Sequence, residues 1–240
     1  MVREKIRRIP EYKEIIYSKE HWELLRKLRK EAIALLEILY KHGIKAIVHG
    51  SIARGDVWKG SDIDVFIPFY VPSYKIEYIL ELHGYTIKNK YIVVATPSST
   101  PKAYIILDDL EKRTVSFPLA KLQPRELEFY AFGGQLDLEG LKKDLRVPGV
   151  DKRLVLIEPT KHGHKESPVI GREEEVARIL GISIDTVKER VRVLSRRDEI
   201  GRTGVFVKYE LDPSESFETA LSNIAKKNPW IRRVLAERGY

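Results

Sequence analysis

Two apolar runs joined by a polar loop constrain the fold of this chain more than any other feature. The first run, residues 44–48, leads into the pair Gly50-Ser51, and the second begins around two aspartates, Asp62 and Asp64. Residues two apart on a β-strand point to the same face. Asp62 and Asp64 are therefore predicted to project together, while the apolar residues that alternate with them face the core.

The chemistry of this loop predicts a site for phosphate and a metal ion. Two carboxylates on one face repel each other unless a cation lies between them. Oxygen ligands favour a hard cation such as Mg²⁺ or Mn²⁺, and Mg²⁺ takes one or two carboxylates together with phosphate oxygens. Gly50 allows a close approach of the backbone to a ligand, and Ser51 and the amides after it can donate hydrogen bonds to phosphate. The loop thus suits a nucleoside triphosphate and its metal.

The loop and the second strand carry a motif in two halves, Gly50-Ser51-x-Ala53-Arg54-Gly55-Asp56 and Ser61-Asp62-Ile63-Asp64. This motif resembles the nucleotidyltransferases of the DNA polymerase beta superfamily, in the form found in the small prokaryotic members. The resemblance is specific over residues 44–68 and loose over 69–120. It implies that Gly50 and Ser51 hold the phosphates of an NTP and that Asp62 and Asp64 are the catalytic metal ligands. Arg54 would steady phosphate charge, or would form an ion pair instead.

The resemblance also implies a third carboxylate, on a later strand beside the first two. Residues 103–119 predict a β-hairpin, and strand alternation places Ser116 at that position. A serine cannot supply the charge, and Asp108 and Asp109 are predicted to be ordinary turn residues. Three interpretations stay open: catalysis with two acids, recruitment of another acid, and a fold kept for binding only.

Composition sets broad limits on the protein. Its 240 residues, 43% hydrophobic and 32% charged, predict a soluble globular protein of one or two domains. No apolar run reaches the roughly 20 residues that span a bilayer, and the charged start lacks a signal-peptide core, so a cytoplasmic protein without membrane contact is expected. The absence of cysteine excludes disulfides and thiol catalysis. A net charge of +8 favours a polyanionic partner, and the residue usage is typical of a thermophile.

The first 160 residues predict a mixed α/β (α+β) domain. A strong amphipathic helix is expected over 19–41, with Ser18 as its N-cap and Gly43 at its end. The other predicted elements are strands at 44–49, 62–68, 85–95, 103–119 and 154–157 and helices at 73–83 and 124–130. Alternation of helices and strands favours a mixed sheet with helices. Residues 161–171 are predicted to be a linker in which His162 and His164 are solvated.

The last 70 residues predict a second domain, 172–240. Helices at 173–180 and from Ser183 onward, joined at Gly181, form a helix-turn-helix pattern, and 200–211 predicts a hairpin. The pattern resembles the winged-helix DNA-binding domains. The second helix has an apolar face and an outward face of basic and polar residues, and the outward set includes Thr186, Lys188, Arg192 and Arg196, with Arg202 at the wing tip. Residues 214–240 predict one or two helices, which would pack on the wing domain or on a second subunit of a homodimer.

The sequence therefore favours a Mg²⁺-dependent nucleotidyltransferase that moves a nucleotide from an NTP to an acceptor hydroxyl and binds DNA or RNA through Lys188, Arg192, Arg196 and Arg202. The main alternative is a catalytically inactive fold acting as a DNA-binding transcriptional regulator, which the serine at position 116 favours and the intact aspartate pair opposes. A toxin–antitoxin component that modifies a protein or tRNA is a third class.

Overall fold

A computed structural model describes residues 6–7, 12–201 and 204–239 of the chain. Helices and strands are interspersed along it, as the sequence predicts. In chain order the elements are β1 (Lys13–Ile16), α1 (Lys19–Lys41), β2 (Ile47–His49), α2 (Ser51–Arg54), β3 (Ile63–Phe66), α3 (Ser73–Leu82), β4 (Asn89–Val94), β5 (Lys102–Ile106), β6 (Arg113–Pro118), α4 (Pro124–Gly133), β7 (Gln135–Asp137), α5 (Leu138–Lys142), β8 (Gly149–Val150), β9 (Val155–Thr160), β10 (Gly163–Pro168), α6 (Glu173–Leu180), α7 (Ile184–Ile200), β11 (Val207–Glu210), α8 (Phe217–Lys227) and α9 (Pro229–Glu237).

The chain forms two compact units, each assembled from separate stretches of sequence. Unit 1 draws on residues 1–33, 48–61 and 127–203, and unit 2 draws on residues 34–47, 62–126 and 204–240. The residues predicted to form a separate C-terminal domain are thus divided between the two units. The mixed α/β class predicted from the sequence is confirmed.

Most of unit 2 is built on a mixed sheet. Within this unit its strands lie in the order β11-β4-β5-β6-β3. β3 and β6 run parallel, whereas β4, β5 and β6 pair antiparallel in sequence order. Helix α8 packs on this sheet through Phe217, whose ring meets that of Phe117 edge-on at 5.6 Å between centroids. Both phenylalanines are fully buried, so the apolar face of the sheet forms the core of this unit.

Unit 1 contains a second, four-stranded sheet in the order β1-β10-β9-β8. The pairs β1–β10, β10–β9 and β8–β9 are all antiparallel. Helices α6 and α7 bury their apolar faces in the core of the same unit, which is formed by Ile6, Phe132, Val150, Leu154, Leu156, Val169, Val176, Ala177 and Val187. These two helices are therefore part of unit 1.

Helix α1 has the bounds that the sequence predicted. The Ser18 hydroxyl accepts a hydrogen bond from the His21 amide (3.3 Å), as an N-cap does. Gly43 ends the helix with φ = +76°, a conformation that glycine adopts without strain. The predicted apolar stripe is buried at Leu25, Ala32, Leu35, Leu36 and Leu39.

Two sequence predictions differ from the structure. Residues 163–168, predicted as part of a linker, form β10, which pairs with β9 and β1. The predicted wing hairpin over 200–211 does not form in the described residues, because α7 is helical to Ile200 and β11 pairs with β4. Both differences arise from long-range strand pairing, which local composition does not reveal. Arg202 lies outside the described residues.

The other predicted helices are present in the structure. The predicted helix-turn-helix elements are present as α6 and α7, with Gly181 in the left-handed conformation between them. Where one or two terminal helices were expected, the structure has two, α8 and α9. Across the part of the chain that the structure describes, no helix combines the length and apolar character needed to cross a bilayer.

Candidate functional site

The two aspartates of the motif lie at the beginning of β3. Asp62 directly precedes the strand and is exposed, whereas Asp64 lies within it and is half-buried. Ile63 and Val65, which alternate with them, are 3% and 0% exposed. This burial pattern is the one that strand alternation predicted, and it leaves both carboxylates on the face opposite Ile63 and Val65.

The register between β3 and β6 corrects the position expected for a third acid. Asp64 is paired with Thr114, and Ser116 is paired with Phe66. Thr114 is therefore the direct neighbour of Asp64, while Ser116 lies one pair further along and donates a hydrogen bond to the Val65 carbonyl at 3.4 Å. Neither residue is acidic, so β6 supplies hydroxyl groups beside Asp64 and no carboxylate at these two positions.

Two residues of β5 that the sequence did not single out share this face of the sheet. Tyr104 pairs with Ser116 across β5 and β6. Burial and, next, the charge of Asp64 raise the pKa of Tyr104 to about 12, so the phenol stays neutral at physiological pH. Lys102, two residues earlier, places its ammonium 5.5 Å from the centre of the Phe66 ring. Strand alternation in the sequence could have indicated both residues, because residues two apart on β5 point to the same face of the sheet.

Burial also affects the charge of Lys102. It lowers the pKa of this ammonium, and the charge of Glu126 opposes the shift in part. A partly desolvated cation and a neutral phenol thus accompany the two aspartates on the sheet face. The combination suits a ligand that carries both negative charge and hydrogen-bonding groups.

The aspartates of the β5–β6 turn have the structural role that the sequence predicted. Asp108 accepts hydrogen bonds from three backbone amides of its own turn, those of Leu110, Lys112 and Arg113. Asp109 is 81% exposed at its side chain and pairs with Lys88 at 3.1 Å. Within the described residues, no group of three or more His, Asp and Glu side chains is placed to hold a metal ion. The acidic groups that could bind a metal ion at the start of β3 are thus the two carboxylates of Asp62 and Asp64.

In unit 1, the Gly-Ser pair opens the motif loop, residues 50–61. Gly50 has φ = +78° and ψ = −144°, which L-amino acids rarely adopt, and there is open space where a side chain would stand. Ser51 begins α2 and donates a hydrogen bond from its hydroxyl to that of Ser61 (3.0 Å), which also accepts from the Trp58 amide (3.0 Å). These hydrogen bonds close the loop, and Ser61 directly precedes Asp62 in the chain.

Arg54 is an internal support of the motif loop. Its side chain is 6% exposed, and it forms a two-bonded ion pair with Asp56 at 3.0 and 2.9 Å. The remaining terminal nitrogen donates to the Gly133 carbonyl at 2.6 Å. This geometry favours the ion pair that the sequence left open, because all three guanidinium nitrogens are already bonded to the protein.

Two side chains from α1 also hold the loop, and no local pattern in the sequence indicates either of them. Arg29, 3% exposed, donates to the carbonyl oxygens of Ile52 and Ala53 at the end of α2. His21 makes a 2.8 Å hydrogen bond to the Gly55 carbonyl. The short helix that follows Gly50 is therefore fixed by buried polar contacts, which preorganise the backbone that would contact a ligand.

Comparison with known proteins agrees with this geometry. Residues 25–193 match the family described as the nucleotidyltransferase domain. The chain belongs to this nucleotidyltransferase family. The match confirms that the motif in residues 44–68 is of the nucleotidyltransferase type, without distinguishing the small prokaryotic form, and nucleotidyl transfer is the general activity that membership supports. No curated protein matches the chain.

The family match in this nucleotidyltransferase extends through the first half of α7, to Val193. The structure leaves Lys188, Arg192 and Arg196 exposed on this helix, as predicted. Thr186 was also expected on the outward face, but it is 2% exposed, because its hydroxyl donates to Glu128 of α4. The three basic residues thus form one exposed face, which we name the basic face of α7.

Proposed function

We propose that this chain is a divalent-cation-dependent nucleotidyltransferase that transfers a nucleotide from an NTP to an acceptor hydroxyl. The observation that carries the proposal is the position of Asp62 and Asp64 at the start of β3, with buried Ile63 and Val65 alternating between them. The family match over residues 25–193 supports the class of reaction.

In this proposal Asp62 and Asp64 hold Mg²⁺ or Mn²⁺. Two carboxylates fit Mg²⁺, which completes its octahedral shell with water and substrate phosphate oxygens. The bound ion would neutralise charge on the transferring phosphoryl group and lower the barrier to in-line displacement. Gly50 and Ser51 bind the phosphates, since the backbone at Gly50 is open to a ligand and Ser51 carries a hydroxyl. Arg54 positions the loop through Asp56, and we do not assign it a direct contact with substrate.

The metal site is tested by ligand-dependent stability. A ligand that binds only the folded state at 100 times its Kd stabilises the protein by about 2.7 kcal/mol, which corresponds to roughly 5–10 °C in Tm for a chain of this size. NTP with Mg²⁺ or Mn²⁺ should raise the Tm of the wild type by this order. Asp62→Asn with Asp64→Asn should abolish the metal-dependent part of the shift.

The matched control is Asp109→Asn, which removes an exposed carboxylate from the β5–β6 turn. This variant should keep the full metal-dependent shift. An undiminished shift in the double aspartate variant would show that these two acids are not the ligands.

We also propose that the basic face of α7 binds DNA or RNA through its positive charges, which would neutralise backbone phosphates. Lys188, Arg192 and Arg196 are exposed on this helix, and Arg202, which lies outside the described residues, is proposed to contribute as well. Removing one phosphate-binding side chain should reduce the slope of log K against log salt by about 0.9 unit for duplex DNA. Alanine at the three exposed positions should therefore flatten the slope by nearly three units.

A control of equal charge separates specific binding from the effect of net charge. Arg26, Lys27 and Lys30 are exposed on α1. Their triple alanine variant removes the same charge and should retain most of the affinity. Equal affinities and slopes for the α7 variant and the wild type would leave the α6–α7 pair as a packing element only.

The second candidate function is a catalytically inactive, nucleotide-sensing DNA-binding regulator. It is favoured by Thr114 and Ser116, the hydroxyl residues that β6 places beside β3 where the family's third acid is expected. A regulator of this kind would keep the NTP-dependent rise in Tm and the DNA binding. It would incorporate no labelled nucleotide into any acceptor.

A further inference from the structure

Arg190, on α7, is a partly desolvated cation without an acidic partner among the described residues. Its Nε is buried and has no hydrogen-bond partner there. Its guanidinium carbon lies 4.9 Å from the centre of the Phe129 ring. Burial and, next, the positive charge of Arg197 lower the pKa of Arg190 to about 10, and Glu189 opposes the shift only in part. A cation–π contact offsets only part of the cost of desolvating an unpaired charge.

The neighbouring acid on α4 is already engaged with α7. Glu128 accepts hydrogen bonds from the Ser183 amide (3.3 Å) and from the Thr186 hydroxyl. Thr186 lies four residues before Arg190, so both side chains emerge on the same side of the helix. This side is separate from the basic face of α7, which points to solvent. Glu128 thus fixes the start of α7 against α4, and Arg190 follows one turn later over Phe129.

An aromatic cluster connects Arg190 to the motif loop within unit 1. The centre of the His49 ring lies 6.4 Å from the centre of the Phe129 ring and 5.0 Å from the centre of the Tyr130 ring. His49 ends β2 and directly precedes Gly50 and Ser51. Two contacts, Arg190 to Phe129 and Phe129 to His49, therefore connect Arg190 to the residue that directly precedes the loop.

We propose that Arg190 binds a phosphate group of the nucleoside triphosphate held by the motif loop. The inference rests on the proposed function, because it extends the phosphate-binding set of that site to α7. A phosphate would supply the counter-charge and the hydrogen-bond acceptors that the guanidinium lacks in the described residues. Helix α7 would then contact nucleotide on one side and nucleic acid on the other.

The test compares three variants by calorimetric titration with inorganic triphosphate, with each NTP in Mg²⁺, and with single-stranded and duplex DNA and RNA. Arg190→Met removes the charge and keeps the length of the side chain, and Arg190→Lys keeps the charge. Arg178→Met is the matched control, because Arg178 is exposed on α6 of the same unit. Removing one hydrogen-bonded charge should weaken triphosphate and NTP binding about 10-fold or more in Arg190→Met, and less in Arg190→Lys. Arg178→Met should bind triphosphate like the wild type.

Stability separates this role from a purely structural one. Because Arg190→Met removes a desolvated charge, its Tm without ligand should equal or exceed that of the wild type. A lower Tm with unchanged triphosphate affinity would overturn the inference, since it would mark the Phe129 contact as a packing contact only. If Arg190→Met does not fold, equal triphosphate affinity in Arg190→Lys and the wild type would likewise overturn it.

Two further outcomes decide the source of the phosphate. Weakened DNA or RNA binding with unchanged triphosphate binding would contradict the assignment to the NTP. A wild type that binds neither triphosphate nor any NTP in Mg²⁺ would refute the proposed function and this inference together. Wild-type binding that Arg190→Met leaves intact would refute this inference alone.

Discussion

Replacing Arg29 by alanine tests whether this side chain of α1 stabilises the motif loop. Arg29 is 3% exposed, and its Nε and Nη2 donate to the Ile52 carbonyl at 3.1 and 2.9 Å. Nη2 also reaches the Ala53 carbonyl at 3.2 Å, and Nη1 pairs with Asp144 at 2.8 Å. The two carbonyls lie in the last turn of α2, where a helix cannot bond them internally.

The structure sets the expected magnitude. Hydrogen bonds to a charged group contribute about 1.5–3 kcal/mol each, but Ala53 keeps a bond from the Val147 amide (3.3 Å). The Asp144 side chain is 75% exposed, so its ion pair contributes about 0–1 kcal/mol. Removing the guanidinium also removes the cost of its burial, the effect that lowers the pKa of Arg29. A net destabilisation of about 3 kcal/mol follows, or roughly 6–12 °C in Tm.

Thermal unfolding of Arg29→Ala, Arg26→Ala and Asp144→Asn measures this contribution. Arg26 is exposed on the same helix, so its variant should shift Tm by less than about 2 °C. Asp144→Asn should also be nearly neutral. Arg29→Ala should further reduce the stabilisation by NTP and metal, because Ser51 begins the helix that Arg29 supports. If the Tm of Arg29→Ala equals that of Arg26→Ala, these buried polar contacts do not stabilise the loop.

Two other predictions follow from strand register and from buried charge. Thr114 is paired with Asp64, so Thr114→Asp should tighten Mn²⁺ binding about 10-fold in a titration. Ser116→Asp should tighten Mn²⁺ binding less. A larger effect of Ser116→Asp than of Thr114→Asp would contradict the register argument. Glu166 is 5% exposed. Burial raises the pKa of its carboxyl, but the hydrogen bond and charge of Arg153 outweigh this effect and hold the pKa below the usual 4.5. Its stabilising contribution is thus present above pH 4.5 and is lost as pH falls toward the lowered pKa, so Tm should fall less steeply below pH 4.5 in Glu166→Gln than in the wild type. Equal slopes in that range would show that this carboxylate does not drive acid unfolding.

Local sequence patterns predicted the longer helices well, because the apolar stripe and the capping residues of a helix lie within or beside the helix itself. Helix α1 was indicated by an apolar stripe along its 23 residues, with Ser18 before it and Gly43 after it. Strand β10 was missed because Gly163, His164 and Pro168 are typical of a linker. Its stability comes from pairing with β9 and β1, and from the 2.7 Å hydrogen bond of His164 to Tyr17.

The candidate site was predicted in part for the same reason. Alternation in one strand sufficed to place Asp62 and Asp64 on one face. The register that sets Thr114 opposite Asp64 depends on pairing between strands about 50 residues apart, which one strand's pattern cannot specify. Arg29 and Arg190 were not predicted because an arginine in a helix is usually solvated. Only the folded arrangement shows that one bonds buried carbonyls and that the other lies desolvated over a ring.

Nucleotide transfer itself is the decisive assay for the proposed function. Purified protein would be incubated with each α-labelled NTP, with Mg²⁺ or Mn²⁺, and with pooled tRNA, DNA and protein acceptors. The proposed role of the aspartates predicts a labelled acceptor with the wild type and with Asp109→Asn, and a fall in labelling of at least about 100-fold when Asp62 and Asp64 are both asparagine. Labelling that persists undiminished in that double variant, or no labelling of any acceptor by a wild type that binds NTP, would contradict it.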